Sequence, residues 1–361
     1  MATFREALRF WVKLGFINFG GPAGQIAIMH REIVERRRWI PEEQFLRALN
    51  FCMILPGPEA QQLAIYIGWL MHGTPGGVVA GVFFVLPSIF VLLFLSWLVA
   101  AHAQVPAVAG LLYGVQPVVI AVVVEAVLRI GRRALRHRAL YLFAGAAFVG
   151  ICFLSIPFPL IVAAAAAAGI ALQRALPRAF RPAGHAVPPG HAAPVASQPG
   201  SAAYPPATRA LRIAALFAAL WAAPVAGLWL WKGAGDVLVK EALFFTQAAF
   251  VTFGGAYAVL SYIADVAVSH YHWLTAAQMV QGLALAESTP GPLIMVTQYV
   301  GFLGAWNQPG ALSPAIHGVL GALITTYVTF LFCFMFIFIG APYVEALAGS
   351  HRVQAALTGV T

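Results

Sequence analysis

Two clusters of glycine and proline interrupt stretches apolar enough to lie in a membrane, and each cluster occurs twice. Phe19-Gly20-Gly21-Pro22 is followed by Leu55-Pro56-Gly57-Pro58, and Phe253-Gly254-Gly255 by Thr289-Pro290-Gly291-Pro292. The separation is constant: 253 − 19 = 234 and 290 − 56 = 234. Between these anchors, without a gap, Phe16 meets Phe250, Trp39 meets Trp273, Gln44 meets Gln278 and Leu49 meets Leu283. Glycine has no side chain and proline has no N–H, so a helix stops at such points and leaves main-chain groups unpaired. In lipid those groups are tolerated only when buried in protein or facing a watery cavity. The chain reads as a duplication with two broken segments in each copy.

Composition narrows the class. Hydrophobic residues make up 61% of the chain and charged residues 9%, with a mean hydropathy of +0.84. A soluble domain carries roughly 25% charged residues, so the pattern predicts an all-α polytopic membrane protein in contact with the lipid bilayer. The net charge of +9 sits in short loops between apolar runs, where it orients a chain in a membrane; no nucleic-acid partner is expected. The N-terminus, with Arg5, Arg9 and Lys13, reads as an amphipathic stretch and not as a cleavable signal peptide. Cys52, Cys152 and Cys333 lie far apart in apolar segments and read as small buried hydrophobes. There is no Walker A sequence, no G-x-S-x-G, no H-E-x-x-H and no Cys/His metal spacing. An enzyme, a cofactor and a metal site are therefore not expected, and the pattern leaves a homodimer open.

Taken in order, residues 10–29 and 48–71 are the broken segments of the first copy, separated by a charged interfacial stretch from His30 to Arg47. Residues 77–101 and 111–129 read as full spans. The cluster Arg129, Arg132, Arg133, Arg136 and Arg138 marks the cytoplasmic side, and Glu125 reads as an i,i+4 partner of Arg129. Pro157 and Pro159 turn 140–172 into a hairpin of two short helices. The domain reading is thus a first repeat over 1–172, a disordered Pro/Ala/Gly-rich cytoplasmic linker over 173–209, and a second repeat over 210–361. His185 and His191 read as solvated linker histidines. Residues 210–231 form a span, 241–264 and 275–306 repeat the broken segments, and 313–340 form a last long span. The second copy stops at Thr361, inside the counterpart of 111–129, and reads as truncated there or as not spanning.

Loop charge orients the copies. After the first Gly-Gly break come Arg31, Arg36, Arg37 and Arg38; the matching loop carries Asp265, His270 and His272 and no Lys or Arg. The positive-inside rule puts the first loop in the cytoplasm and the second outside it, so two homologous halves in inverted topology are expected. Counting crossings between the basic clusters makes the broken segments re-entrant.

Half-helices that start at the breaks point N–H groups and positive dipole ends inward, which is how proteins hold anions. The candidate translocation residues follow from this: Gly20, Gly21, Pro22, Pro56, Gly57, Pro58, Gly254, Gly255, Pro290, Gly291 and Pro292. Around them stand Lys13, two helical turns before the first cluster, the neutral hydrogen-bonding Asn18, Gln25 and Gln62, and the carboxylates Glu59 and Glu287. A carboxylate beside an anion site repels the anion unless protonated, which makes Glu59 and Glu287 candidates for proton coupling. An N-cap role for Glu59 and snorkelling for Lys13 are the plain alternatives.

The pair Phe-Gly-Gly-Pro with Trp39, Leu-Pro-Gly-Pro-Glu-Ala-Gln-Gln, and then Phe-Gly-Gly with Trp273 and Thr-Pro-Gly-Pro resembles the chromate ion transporter family over almost the whole chain outside the linker. The resemblance implies a bacterial inner-membrane protein of two oppositely oriented halves that exports chromate, driven by membrane potential or a proton gradient. Ala256 departs from it, standing where the first copy has Pro22. The residues themselves say only oxyanion, since chromate and sulfate share charge and shape. A passive anion channel, a sulfate-type transporter and a membrane anchor subunit are the rival readings.

Overall fold

The computed structural model describes residues 2–110, scattered positions between 113 and 137, and residues 138–154, 156–172, 207–253 and 256–343. Gly254 and Gly255, nearly all of the 173–209 linker with His185 and His191, Glu125, Arg129, Arg133, Arg136 and the chain after 343 lie outside the described residues. Among the described residues all regular structure is helical.

The first helix, α1 (Phe4–Ile17), is started by Thr3. Its hydroxyl accepts from the Glu6 N–H at 3.3 Å while the Glu6 carboxylate accepts from the Thr3 N–H at 2.8 Å, so two orphan donors are satisfied reciprocally. The helix ends where Gly20 and Gly21 take φ of +86° and +63°, a region that side chains with a Cβ avoid. α2 (Gly21–His30) leaves that turn with Pro22 in its first turn, where the missing N–H costs nothing. A π-helical turn (Arg31–Arg36), α3 (Glu42–Cys52) and α4 (Glu59–His102) complete the well-described part of the first copy. There follow α5 (Arg138–Cys152), α6 (Phe158–Leu172), α7 (Ala207–Lys232), α8 (Val237–Val251), α9 (Ala256–Asp265), a π-helical turn (Val266–His270), α10 (Ala276–Ser288), a 3-10 turn (Leu293–Met295), α11 (Val296–Asn307) and α12 (Pro314–Gly340).

Length sorts these helices. α4, α7 and α12 are long and apolar enough to cross a membrane. α1, α2, α3, α8, α9, α10 and α11 have between 10 and 15 residues, short of the roughly 20 that a crossing needs. All four segments expected to be broken divide at their Gly or Pro cluster into such short arms. α4 itself bends at His72 and Gly73, where φ/ψ leave the helical region (Gly73 φ +64°, ψ −157°). Its arm before the bend is short and its arm after the bend long, the same order as α11 and then α12.

Local geometry recurs 234 residues apart. The Trp39 N–H donates to Ile33 O at 2.8 Å and the Trp273 N–H to Ala267 O at 2.8 Å. Arg38 and His272 both sit at φ +52°. Phe10 meets Trp39 edge-on at 5.3 Å, and Phe244 meets Trp273 at 5.7 Å. Two loops of unlike charge thus take one backbone shape.

Small residues let the spans approach closely, as is common between membrane helices. α11 and α12 touch at Gly301 and Gly321: a Cβ on Gly301 would lie 2.7 Å from the Gly321 carbonyl, and one on Gly321 would strike the Gly301 carbonyl and lie 2.6 Å from the Ala305 Cβ. These obstacles are backbone and cannot swing away. Gly321→Ala is expected to cost about 1–3 kcal/mol by overpacking, read as a lower melting temperature of the detergent-solubilised protein.

In the first loop the Glu32 carboxylate is nearly buried and takes Arg36 at 3.1 Å and Arg37 at 3.5 Å. The Arg37 guanidinium lies over the Phe10 ring at 5.1 Å and the Trp39 ring at 4.9 Å. Burial pushes the Glu32 carboxyl up, but the hydrogen bond and charge of Arg36, with the charges of Arg37 and Lys13, outweigh it and hold the group below the ordinary carboxylate value. A depressed folded value stabilises above the unfolded pKa, and the stabilisation drains away as pH falls through the folded value. Glu32→Gln is therefore expected to lower stability near pH 7 by about 1 kcal/mol, the exposed Arg36 limiting the effect. Melting curves of the two proteins should converge on acidification.

Candidate functional site

The two Pro-Gly-Pro breaks meet the two Phe-Gly-Gly turns across the copies. The Gly57 N–H donates to Thr252 O at 2.7 Å, and the Gly291 N–H donates to Asn18 O at 3.3 Å. Since 252 − 18 = 234 and 291 − 57 = 234, one hydrogen bond is made twice with the copies exchanged. Both glycines take the same unusual backbone, φ +119° at Gly57 and +120° at Gly291. Each also abuts the long span of the other copy: a Cβ on Gly57 would lie 3.0 Å from the Cys333 Sγ of α12, and one on Gly291 would lie 2.5 Å from the Ser88 Cβ of α4.

Side-chain amides lock this crossing. Gln25 Nε2 donates to Asn18 O at 3.0 Å and to Gly291 O at 2.6 Å, so one side chain of α2 clasps a turn of its own copy to the break of the other. Asn18 Nδ2 donates to Phe84 O of α4 at 3.1 Å. Gln62 Nε2 donates to Pro56 O at 2.6 Å across the first break. Asn18, Gln25 and Gln62 are all fully buried.

The glycine amides at the crossing are thus already engaged. Buried oxygens without hydrogen-bond partners among the described residues belong to residues of the crossing, Asn18 Oδ1, Gln25 Oε1, Gln62 Oε1, Ser88 Oγ beside Gly291 and Thr297 Oγ1 beside Pro58, and to Gln61 Oε1 of α4 and Thr325 Oγ1 beside Gly301. Buried polar atoms are normally paired, so this set marks a place where water or a ligand belongs. The amide oxygens only accept; the hydroxyls of Ser88, Thr297 and Thr325 can donate. The N-cap residues of α2 and α4, Gly20 and Pro58, make no side-chain cap hydrogen bond. A cavity of about 10 Å³ lies between Pro58, Thr252, Ile294, Thr297 and Thr329, near the roughly 10–15 Å³ that a single water requires. That cavity holds a single water and is too small for a tetrahedral oxyanion.

Of the residues expected from sequence, Asn18, Gln25, Gly57, Pro58, Gln62, Gly291 and the flanking Pro56, Pro290 and Pro292 come together here. Gly20, Gly21 and Pro22 form the adjoining turn into α2, and Gly254 and Gly255 lie outside the described residues. Lys13 is exposed on α1, and its charge acts on Glu32 in the loop. Glu59 opens α4 and Glu287 lies in the last turn of α10, both half-buried. Sequence reasoning missed Thr252, Ser88, Thr297, Thr325 and Cys333. Thr252 had a signal, as the counterpart of Asn18 at the repeat spacing.

The sequence pattern of the chromate transporter family matches residues 5–170 and 239–361. The chain belongs to the chromate transporter family. A chromate transport protein of Pseudomonas aeruginosa is 34% identical over 361 residues, covering 99% of this chain and 77% of that protein. One of Cupriavidus metallidurans is 27% identical, covering 99% of this chain and 79% of that protein. A probable chromate transport protein of Synechococcus elongatus is 26% identical, with 99% and 81% covered. No solved structure matches this chain. With its long apolar helices, this chromate transporter family member is a multi-pass membrane protein. The matched stretches contain both turns and both breaks, so the crossing is built from residues that lie inside the family pattern.

Proposed function

We propose that this protein moves chromate, and sulfate-like oxyanions of the same shape, outward across a bacterial inner membrane, driven by membrane potential or a proton gradient, and so confers chromate resistance. The observation that carries the reading is the pair of exchanged hydrogen bonds, Gly57 to Thr252 and Gly291 to Asn18. They gather both breaks at one buried place, lined by unpartnered hydroxyls, in a chain whose relatives are named chromate transport proteins. The anion is held by hydroxyls and helix-start N–H groups, and the acceptor oxygens of Asn18 and Gln25 face away from it or reach it through water. The halves 1–172 and 210–361, joined by the linker 173–209, lie in opposite orientation. The support is that one loop shape carries Arg31, Arg36, Arg37 and Arg38 in the first half but Asp265, His270 and His272 in the second. Alternating access requires the crossing to part on one side at a time.

Uptake of radiolabelled chromate into everted membrane vesicles tests this. Energised accumulation that an uncoupler abolishes, and that excess sulfate reduces, is the expected result. Flux that follows voltage in both directions and ignores the uncoupler would replace the transporter by a channel.

A further inference from the structure

A second polar site lies on α8, away from the crossing. Thr252, which belongs to the crossing, follows the C-terminal end of α8; Glu241 stands 252 − 241 = 11 residues earlier, about 16 Å along the helix. Its side chain is fully buried, and among the described residues neither carboxyl oxygen has a hydrogen-bond partner. The carboxyl sits in a seat made by two glycines: a Cβ on Gly304 of α11 would lie 2.5 Å from Oε1, and one on Gly321 of α12 would lie 2.8 Å from Oε2. The Trp273 ring closes over Gly304. Packing does not demand an acid at this point, because the counterpart in α1 is Ala7, also buried.

Two other titratable groups face this seat among the described residues. His317 is fully buried one turn before Gly321 on the same face of α12. Its Nδ1 lies 3.0 Å from Ala305 O, a carbonyl that can only accept, so Nδ1 carries the hydrogen. Its Nε2 is left to take or release a proton, 3.6 Å from Asp236 Oδ1. Asp236 caps α8 by accepting from the Leu238 N–H at 2.9 Å and keeps 15% of its side chain exposed. Lys240, next to Glu241 on α8, is half-buried on another face. α11 offers Gly304 to the carboxyl. Asp236, partly exposed, reaches His317, and both His317 and Glu241 are fully buried.

We propose that Glu241 is a proton-binding site, loaded from the surface through Asp236 and His317, and that it provides the proton coupling in the transport reading above, on which this inference rests. A carboxylate sealed away from donors and cations is disfavoured; taking up one proton removes the charge. The step is a proton exchange relayed by one water: the imidazolium of His317 loses its Nε2 proton to the water, the water passes a proton on to one Glu241 oxygen, which gains an O–H bond, and no electrons change hands. α8 joins this site to Thr252, so protonation at one end bears on the hydrogen bond from Gly57 at the other.

The test uses the full chain in liposomes and two readouts. Infrared spectra of the wild type should contain a C=O band of a protonated carboxylic acid at neutral pH, shifted in D2O and absent from Glu241→Gln. Net chromate transport driven by an imposed pH gradient should be lost in Glu241→Gln, while chromate-for-chromate exchange, which moves no net proton, persists and shows the variant is folded. Glu241→Asp should restore a pH response, and His317→Gln should slow gradient-driven transport while leaving the band. A wild type without the band, or a Glu241→Gln protein that still runs on the pH gradient, overturns the proposal. Absence of chromate movement in every assay would instead overturn the transport reading, and the infrared band would then decide the proton site by itself.

Discussion

Gly291→Ala is expected to abolish chromate transport while the protein still inserts in the membrane. The added methyl would strike the Ser88 hydroxyl and come within 2.5 Å of the Ser88 Cβ, and the backbone there stands at φ +120°, which costs an L residue about 1–3 kcal/mol. Relief requires the break to move off α4, and that breaks the Gly291 N–H bond to Asn18. Gly57→Ala should do less harm. Its obstacles are the end of the flexible Gln62 side chain, 2.8 Å away, and the Cys333 Sγ at 3.0 Å, although the φ strain is the same. Ser88→Gly in the Gly291→Ala background should recover part of the transport, because it removes the clash and leaves only the strain. Vesicle uptake of chromate, normalised to protein in the membrane, reads all three. Full transport by Gly291→Ala would take the crossing out of the pathway.

Gln25→Met is the second large effect. Methionine matches glutamine in length and is apolar, so the packing of α2 survives while two hydrogen bonds vanish. Both acceptors, Asn18 O and Gly291 O, are buried main-chain oxygens, and stripping a buried polar group of its partner costs about 1–3 kcal/mol. Asn18 O keeps the Gly291 N–H, so the heavier loss falls on Gly291 O. The expected outcome is a melting temperature lower by several degrees and a transport rate reduced more than stability alone explains, because the clasp between copies sets the geometry of the crossing. Gln25→Glu should be worse, since an ionised carboxylate cannot donate to either carbonyl. A Gln25→Met protein with wild-type transport would reduce the clasp to a packing detail.

The breaks were legible because glycine and proline act locally: positive φ at Gly20, Gly57 and Gly291 and the starts of α2 and α4 follow from residue chemistry at those positions. The repeat was legible because its spacing is an arithmetic fact. Which break meets which turn was not. A spacing of 234 relates Gly57 to Gly291 but says nothing of Gly57 reaching Thr252, a contact that exists only once the copies have packed. The hydroxyls of Ser88, Thr297 and Thr325 were hidden for a similar reason. Threonine and serine are ordinary in apolar helices, where they can bond their own backbone, as Thr326 and Thr329 do here. Only burial without a partner sets the others apart. Glu241 stands at the edge of the apolar run 241–264 and was not singled out by its sequence; its burial is imposed by Gly304 and Gly321, which belong to other segments.

The exchanged hydrogen bonds have one more consequence. Each copy donates from its break to a carbonyl that the other copy supplies, so neither copy can satisfy itself. A single copy would leave the Gly57 or the Gly291 N–H without its acceptor in apolar surroundings, and two identical copies could repair this by swapping the same bond, as partners in a symmetric dimer do. The chain therefore carries, folded into one molecule, the interface of a dimer. The two copies differ at this interface and beyond it: Asn18 stands opposite Thr252, Gln25 opposite Val259, and Ala7 opposite Glu241.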